Sequence, residues 1–228
     1  MLRISLAGDE ALLHPSGALL LSASGTLLVA DAHFGKAVSY RKLGVPVPEA
    51  TTTATLHALT KAIAETAARR VVFLGDFLHS ARSHARETLD ALAGWRDLHA
   101  HIAMTLVRGN HDDRAGDPPS SLRIDAVDEP LAQGAFALCH HPRPVAGAYV
   151  LAGHWHPCVS VRGRGHDHLR LACFWFGDDS GQDTAAAVGI LPAFGSFTGM
   201  HGIERRAADR IYAIADGHVR ALPAVAAA

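Results

Sequence analysis

One pattern constrains the fold more than any other: five short apolar runs each stop at aspartate, histidine or asparagine, or at a glycine that precedes one of them. In the third of these runs, Ile102–Val107 is followed by Gly109-Asn110-His111-Asp112. An apolar strand that gives way to glycine and then to polar side chains is typical of a buried strand whose carboxyl end opens onto a site. The other four fragments are Val29–His33, Phe73–Asp76, Ala137–His141 and Leu151–His156.

The segments between these runs predict an α/β fold. Glu49–Arg69 and His84–Leu98 carry apolar residues at helical spacing, whereas residues 34–48 are predicted to form a polar loop. After Pro118-Pro119 the chain becomes a series of short strands that ends in a hairpin around Asp216-Gly217. In proteins that alternate strands and helices, the carboxyl ends of the strands point to one edge of the sheet, so the five polar ends can converge on one crevice.

The polar ends together supply a set of metal ligands. Asp31 with His33, and His154 with His156, have the i, i+2 spacing that places two side chains on the same face of an extended backbone. Seven ligands are too many for one metal ion and suit two ions that share one carboxylate, for which we predict Asp76. The predicted sets are Asp31, His33, His156 and Asp76 for one ion, and Asn110, His140, His154 and Asp76 for the other.

The donor types predict the chemistry as well. Carboxylate, amide and imidazole donors without thiolate favour Mn²⁺, Fe or Zn²⁺. Two such cations about 3.5–4 Å apart stabilise both the attacking and the leaving oxygen of an in-line displacement at phosphorus. The predicted reaction is therefore phosphoester hydrolysis. His111 lies beside Asn110 but is not needed as a ligand, so we predict that it protonates the leaving oxygen.

Side chains next to the predicted ligands have two open interpretations each. His140 and His141 compete for one ligand role; His140 directly follows the strand, which leaves His141 as a substrate contact or a support for the ligands. Lys36 and Arg108 either contact the substrate phosphate or are structural cations. His79 either lines the cleft and contacts substrate or is an ordinary loop histidine.

Two residues within the motifs are predicted to be structural. We expect Asp112 to fix the loop in which it lies and not to bind metal. Trp155 lies between two predicted ligands, and we expect it to belong to the core and not to form a platform for stacked bases.

Composition limits the class of protein and its surroundings. A chain of 228 residues with 49% hydrophobic and 19% charged residues is typical of one globular domain, here residues 1–228. No apolar stretch reaches the roughly 18 residues that span a bilayer, and the first residues do not form a signal peptide, so we expect a cytoplasmic protein with no membrane partner. The three cysteines show no pairing pattern, which fits a reducing compartment. The net charge of −1 excludes a global basic field, so contact with DNA would be local.

Taken in chain order, the ligand motifs resemble those of a known superfamily. Asp31-x-His33, Gly75-Asp76, Gly109-Asn110-His111-Asp112, His140 and Gly153-His154-x-His156 are similar to the five-part pattern of the calcineurin-like metallophosphoesterases, with no ligand missing. This resemblance covers residues 31–156. It implies a four-layer α/β/β/α sandwich of two mixed β-sheets flanked by helices, a dinuclear centre often filled with Mn²⁺, and the ligand roles given above.

A narrower resemblance covers nearly the whole chain. Asp31–Lys36, Gly75–Ser80 and Leu191–Gly199 resemble the bacterial ligase-associated DNA-damage-response endonucleases of the PdeM family, which are related to the SbcD-like nucleases. The resemblance implies a DNA endonuclease in a cytoplasmic repair system whose partners are an ATP-dependent DNA ligase, a helicase and an exonuclease. The near-neutral charge departs from what a DNA-binding enzyme favours.

Two alternative functions therefore stay open. The first is a small-molecule phosphatase or nucleotide phosphodiesterase that uses the same dimetal centre, which a neutral surface permits. The second is a non-catalytic scaffold of the same fold, for which loss of ligands would be the expected sign, whereas every ligand is present.

Overall fold

The computed structural model describes residues 1–47, 51–162, 168–177 and 187–224. Within these ranges the strands are β1 (Leu2–Leu6), β2 (Asp9–Leu13), β3 (Leu19–Leu21), β4 (Thr26–Ala30), β5 (Arg70–Leu74), β6 (Ala103–Val107), β7 (Asp125–Val127), β8 (Leu131–Gln133), β9 (Phe136–Leu138), β10 (Tyr149–Ala152), β11 (Pro157–Arg162), β12 (His168–Phe176), β13 (Val188–Ile190), β14 (His201–Gly202), β15 (Arg210–Ala215) and β16 (His218–Ala221). The α-helices are α1 (Lys36–Arg41), α2 (Thr51–Thr66), α3 (Arg86–Leu98) and α4 (Asp112–Ala115), with 3₁₀ turns at Ala81–His84 and Ser120–Leu122. None of these helices has both the length and the apolar character needed to cross a bilayer.

The first sheet has the strand order β1-β2-β3-β4-β5-β6-β7. Strands β1 to β4 are antiparallel neighbours, whereas β4 to β7 run parallel. At the end of the parallel part, Ala30 of β4 pairs with Leu74 of β5, which pairs with Val107 of β6. These three strands stop at the same level, so the polar residues that follow them reach one edge of the sheet.

The second sheet, as far as the structure describes it, has the order β14-β11-β12-β13-β10-β9-β8, with β15 and β16 joined through β12. Strands β9, β10 and β13 are parallel, while β11, β12 and β13 are antiparallel neighbours. Leu138 at the end of β9 pairs with Leu151 near the end of β10. The residues that follow, His140 and His154, therefore leave this sheet from the same edge.

Buried side chains define the layers. One face of the first sheet, including Val71 and Phe73, packs against Leu59 of α2 and Trp95 of α3. Its other face packs against the second sheet through a separate cluster that includes Leu28, Val72, Leu151, Phe174 and Phe176. A small third cluster on the second sheet contains Ala137, Cys139, Val150 and Ala152. The prediction of an α/β fold with two mixed sheets flanked by helices is confirmed.

Local differences from the predicted elements have physical reasons. Helix α1 lies in the predicted polar loop; it has only six residues and begins after Gly35, whose φ of 74° opens a tight turn. Strand β2 begins with Asp9-Glu10, which in sequence reads as a break, but it is held on both sides by β1 and β3. Glu49, the predicted start of the helix seen as α2, lies outside the described residues.

Candidate metal centre

Two buried carboxylates form the middle of the site. Asp31 follows β4 and is 0% exposed, and Asp76 follows β5 and is 3% exposed. Imidazole nitrogens surround them: His156 Nε2 lies 3.3 Å from Asp31 Oδ1, His140 Nε2 lies 3.5 Å from Asp76 Oδ1, and His33 Nε2 lies 3.8 Å from Asp76 Oδ2. Among the described residues, neither carboxylate forms an ion pair with arginine or lysine. Two adjacent buried carboxylates therefore lack a directly paired positive charge, which bound cations would supply.

Asp76 lies between two groups of donors. Its Oδ1 faces His140, whereas its Oδ2 faces His33 at 3.8 Å and His111 Nε2 at 3.9 Å. Donor atoms of Asp31, His33 and His156 lie within 4.8 Å of one another, and the same is true of Asp31, Asp76 and His140. Asp76 thus faces donors on both sides, one through each oxygen, and its role as a carboxylate shared by two cations stays a prediction.

The donors on the side of the second sheet are equally close. His140 Nε2 lies 3.0 Å from Asn110 Oδ1 and 3.0 Å from His154 Nδ1. Asn110 comes from the loop after β6, whereas His140 and His154 follow β9 and β10. An amide oxygen and two imidazoles that approach one point are an arrangement a single cation can coordinate.

Hydrogen bonds fix the orientation of three imidazoles. In each, Nδ1–H donates to a backbone carbonyl, so that the lone pair of Nε2 is directed into the site. The acceptors are the carbonyl of Leu74 for His140 (3.0 Å), of Gly199 for His156 (3.1 Å) and of His79 for His111 (2.6 Å). This carbonyl support on the far side of the ring is typical of metal-binding histidines.

The backbone at the site is unusual. Nine non-glycine residues in the described part of the chain have a positive φ, and five of them are predicted ligands. These are Asp31 (52°), His33 (46°), Asp76 (50°), His154 (70°) and His156 (47°). Left-handed backbone costs a non-glycine residue about 1–3 kcal/mol, and its concentration at one place is typical of functional sites.

Glycines allow the two sheets to approach at the ligands. A Cβ atom on Gly75 would lie 2.1 Å from His140 Nδ1, and one on Gly153 would lie 2.5 Å from Asp31 Oδ2. Any side chain at these positions would displace a ligand. Both positions therefore need glycine for space beside the ligands, and Gly75, with a φ of 77°, needs it for the turn as well.

Burial and charge set the protonation of the ligand histidines. Burial, together with His156 and Lys36, holds the pKa of His33 far below its ordinary value. Burial is also the main cause of the lowered pKa of His154. At His156 burial acts downward, but the hydrogen bond to Asp31 and the charge of that carboxylate outweigh it and raise the pKa. Metal ions bind the neutral imidazole, which is the form that burial favours at His33 and His154.

The residues fit bound metal ions. His33 Nδ1 is a buried atom that has no hydrogen-bond partner among the described residues. The donor set consists of carboxylate, amide and imidazole, as Mn²⁺, Fe and Zn²⁺ accept. The cysteine thiols are not needed, since Cys139, Cys158 and Cys173 are buried and free.

Two of the four predicted substrate contacts lie beside the cluster. The ring of His79 stacks on that of His111 at 4.9 Å, and burial, with His111 and Lys36, lowers its pKa to about 4. Burial also lowers the pKa of Lys36, while the charges of Asp76 and Asp31 act in the opposite direction. His79 therefore lies in the cleft, and the charge of Lys36 interacts with the carboxylates of Asp31 and Asp76.

The other two contacts have partners of their own. Arg108 donates two hydrogen bonds of 2.8 Å to Asp117 and one of 2.8 Å to Asp128. His141 donates from Nδ1 to Glu129 Oε1 at 2.8 Å, although its ring centroid is 4.7 Å from that of His154. The structure keeps His141 near the cluster and directs Arg108 toward surface carboxylates.

Two acidic residues support the ligand loops. Asp112 accepts hydrogen bonds from the backbone N–H of Gly109 (2.9 Å), Phe77 (3.0 Å) and Leu78 (3.3 Å), so the prediction that it fixes the loop is confirmed. Burial raises the pKa of Asp112 to about 6. Glu129, which sequence reasoning missed, accepts from the backbone N–H of both His140 (2.8 Å) and His141 (2.9 Å). Its only sequence signal is an acidic residue before proline, which names no role.

Trp155 differs from its prediction. It was expected in the core, but 46% of its surface is exposed. The chain turns at His154 and His156, both with positive φ, and this turn directs the residue between them away from the interior. The prediction of a core tryptophan is wrong.

Comparison with known proteins shows similarity to a solved structure over nearly the whole chain. No protein-family model and no curated protein matches the sequence. The structure is similar to the crystal structure of Pseudomonas putida nuclease MPE, with 40% sequence identity and a TM-score of 0.83, over 97% of this chain and 99% of that chain. Two weaker matches are AQ665 of unknown function from Aquifex aeolicus (19% identity, 62% of this chain and 82% of that chain, TM-score 0.40) and the E. coli phosphoesterase Yfce (13%, 84% and 88%, 0.36). We draw nothing from these two.

Identity at this level over almost the whole of both chains, together with the complete ligand set, establishes the family. The chain belongs to the metallophosphoesterase family that includes the nuclease MPE of Pseudomonas putida.

Proposed function

We propose that the protein is a metal-dependent phosphodiesterase that cleaves nucleic acid, with DNA as the substrate. The observation that carries this proposal is the position of Asp76 between two groups of donors, one with Asp31, His33 and His156 and one with Asn110, His140 and His154. The relative that is 40% identical over nearly the whole chain is a nuclease. Both facts support hydrolysis of phosphodiesters over any non-catalytic role.

The ligands proposed above would hold two divalent cations, for which we propose Mn²⁺. Such cations supply Lewis-acid stabilisation of the charge that develops on a phosphoryl group. The protein's own part is to hold seven donors in place before substrate arrives, through strained backbone, glycine contacts and carbonyl-bound imidazoles. Preorganisation of this kind avoids reorganisation during the reaction.

His111 is suited to proton donation at the leaving oxygen. Its Nδ1–H is engaged by the carbonyl of His79, so a second proton on Nε2 faces the site, 3.9 Å from Asp76 Oδ2. Its backbone N–H donates to Asp76 Oδ1 at 2.9 Å, which fixes the residue relative to the centre. Lys36, whose charge interacts with Asp31 and Asp76, is placed to offset the negative charge of a bound phosphodiester.

The cellular setting is part of the same proposal. Three free, buried cysteines support a reducing compartment, and we propose the cytoplasm. From the family resemblance of the sequence we also propose a role in DNA repair, with an ATP-dependent DNA ligase, a helicase and an exonuclease as partners.

The test uses purified protein of measured metal content. We expect Mn²⁺-dependent hydrolysis of bis(p-nitrophenyl) phosphate and cleavage of DNA, both lost on chelation. Asp76→Asn removes the negative charge of the carboxylate that we propose the two cations share. It should lower activity by more than the roughly 10- to 100-fold loss that follows substitution of a residue hydrogen-bonded to a ligand. Asp113→Asn, which changes an exposed carboxylate on α4, is the matched control and should behave as the wild type.

The outcomes separate the candidate functions. Cleavage of single-stranded, nicked and duplex DNA should weaken as salt rises, because phosphate contacts release counterions. Faster turnover of phosphomonoesters than of diesters or DNA would select the small-molecule phosphatase. Metal-independent hydrolysis that survives Asp76→Asn would reject the dimetal mechanism.

A further inference from the structure

A cavity of 740 Å³ opens directly beside the candidate metal centre. Its lining includes the ligands His154 and His156 and the apolar side chains of Trp155, Trp175 and Met200. A phosphate needs cations and hydrogen-bond donors, and it gains nothing from indole and thioether groups. This volume is in the range of pockets that bind small organic groups.

The apolar wall is open to solvent. Trp155 is 46% exposed and Met200 is 42% exposed. Behind them, Trp175 and Ile203 pack against a buried cluster that contains Val159, Cys173, Ile211 and Ala213. The exposed groups therefore stand on a fixed support, and an exposed apolar surface of this kind is typical of a binding site.

The lining segment 199–203 is attached to a predicted metal ligand. The carbonyl of Gly199 accepts from His156 Nδ1 at 3.1 Å, and the N–H of His201 donates to the carbonyl of His156 at 2.9 Å. Two residues further on, Ile203 N–H donates to the carbonyl of Cys158 at 3.1 Å. A group bound in the cavity would thus be held at a fixed position relative to the centre.

We propose that this cavity binds an unpaired nucleobase that flanks the scissile phosphate, with the indole of Trp155 as its stacking surface. The proposal rests on the proposed phosphodiesterase function and adds a binding site to it. Aromatic side chains stack on any base because every base has a π-face. His201, Glu204 and Arg206 line the same cavity and offer donors and acceptors to the edge of a base. A base stacked within a duplex cannot present its face to an indole without leaving the helix.

The experiment compares substrates with a single scissile bond. Thymidylyl-thymidine is assayed with Mn²⁺ beside two analogues in which one nucleoside or the other is replaced by abasic deoxyribose. We expect the wild type to prefer the complete dinucleotide over one of the analogues by about tenfold in kcat/KM, the size of a lost base–aromatic stack. Trp155→Ala should abolish this preference by slowing the complete substrate alone, and Trp155→Phe should retain most of it.

Two controls are needed because Trp155 lies between two predicted ligands, so that its substitution can also change metal binding. Metal content is measured for each variant, and Met200→Ala, which changes the cavity at a residue outside the loop of His154 and His156, should reduce the preference in part. Leu98→Ala removes an apolar side chain that is 77% exposed on α3 and should leave the preference unchanged. An unchanged preference in both Trp155→Ala and Met200→Ala, or equal losses on all three substrates, would overturn the proposal.

A second readout separates this inference from the proposed function. Quenching of tryptophan fluorescence by the dinucleotide, measured without divalent metal, should be present in the wild type and much reduced in Trp155→Ala. If quenching follows this pattern but no diester is hydrolysed with Mn²⁺, the proposed function fails and the base site stands. If hydrolysis occurs and Trp155→Ala quenches like the wild type, the base site fails alone.

Discussion

The two sides of the metal centre are held by different means. On the side of the first sheet, Asp31 and Asp76 directly follow parallel strands, and their positions come from left-handed backbone and from register within the sheet. On the side of the second sheet, His140 and His156 depend on groups far away in sequence, namely Glu129 and the carbonyls of Leu74 and Gly199. Left-handed backbone occurs on both sides, and the second side differs in that its ligand rings are also held by acceptors far away in sequence.

This difference predicts where each side is vulnerable. On the first side, we expect the largest losses of activity for residues whose side chains reach the centre. On the second side, a residue with no donor in the site, such as Glu129, contributes through the groups it orients. Substitutions that compare the two sides should therefore differ in both size and kind of effect.

The largest effect is expected for His111→Gln, on the side of the first sheet. Loss of a proton donor at the leaving oxygen should lower kcat for dinucleotides by about 10²–10⁴-fold. The loss should be much smaller for bis(p-nitrophenyl) phosphate, because p-nitrophenolate leaves readily without a proton. Metal content should stay at the wild-type level, and His57→Gln, an exposed histidine on α2, serves as the control. Equal losses on the two substrates would contradict proton donation by His111.

A smaller effect is expected for Glu129→Gln, on the side of the second sheet. Loss of a charged acceptor should lower the affinity for Mn²⁺ by about 10- to 100-fold. It should also lower the free energy of unfolding of the metal-free protein at pH 7 by about 1–3 kcal/mol. Isothermal titration and urea denaturation measure the two quantities. Glu87→Gln, which removes an exposed ion pair with Arg41, is the matched control.

The pH dependence of the free energy of unfolding tests whether the charge of Glu129 causes this loss of stability. Burial opposes ionisation of Glu129, but hydrogen bonds from His141 and Arg143 prevail and lower its pKa from 4.5 to about 2. Since the unfolded state binds the proton first as pH falls, the stabilisation is complete above pH 4.5 and is lost between pH 4.5 and about 2. The difference in stability between wild type and Glu129→Gln should shrink across that window; a constant difference would show that charge is not its cause.

The smallest effect is expected for Arg108→Gln. Its guanidinium is engaged by Asp117 and Asp128 at the surface, and such pairs contribute about 0–1 kcal/mol. We expect little change in stability and none in KM for a phosphodiester, whereas Lys36→Gln should raise KM. An equal rise in KM for Arg108→Gln and Lys36→Gln would instead support the hypothesis that Arg108 contacts the substrate phosphate.

What the sequence could predict follows the same division. The ends of β4, β5 and β6 were identifiable because the predicted ligands follow each strand directly or within three residues, as in Gly75-Asp76. Glu129 was not, since its partners His140 and His141 lie 11 and 12 residues away and two of its bonds are to backbone N–H groups. Trp155 was misplaced because alternation along an extended strand gives no sign of the turns at His154 and His156. Local sequence patterns identify the candidate ligands. Which residues support those ligands, and how exposed a side chain is, depend on tertiary geometry.

The candidate centre also lies where the two sheets meet. Asp31 of the first sheet accepts the backbone N–H of His154 at 2.9 Å, and His140 of the second donates to the carbonyl of Leu74 at 3.0 Å. A small slide of one half over the other would change the spacing of the donors without altering any of them. Interior substitutions between the sheets, for example at Phe174, could therefore tune which cation the protein prefers, giving evolution a route to new metal selectivity that leaves every coordinating residue intact.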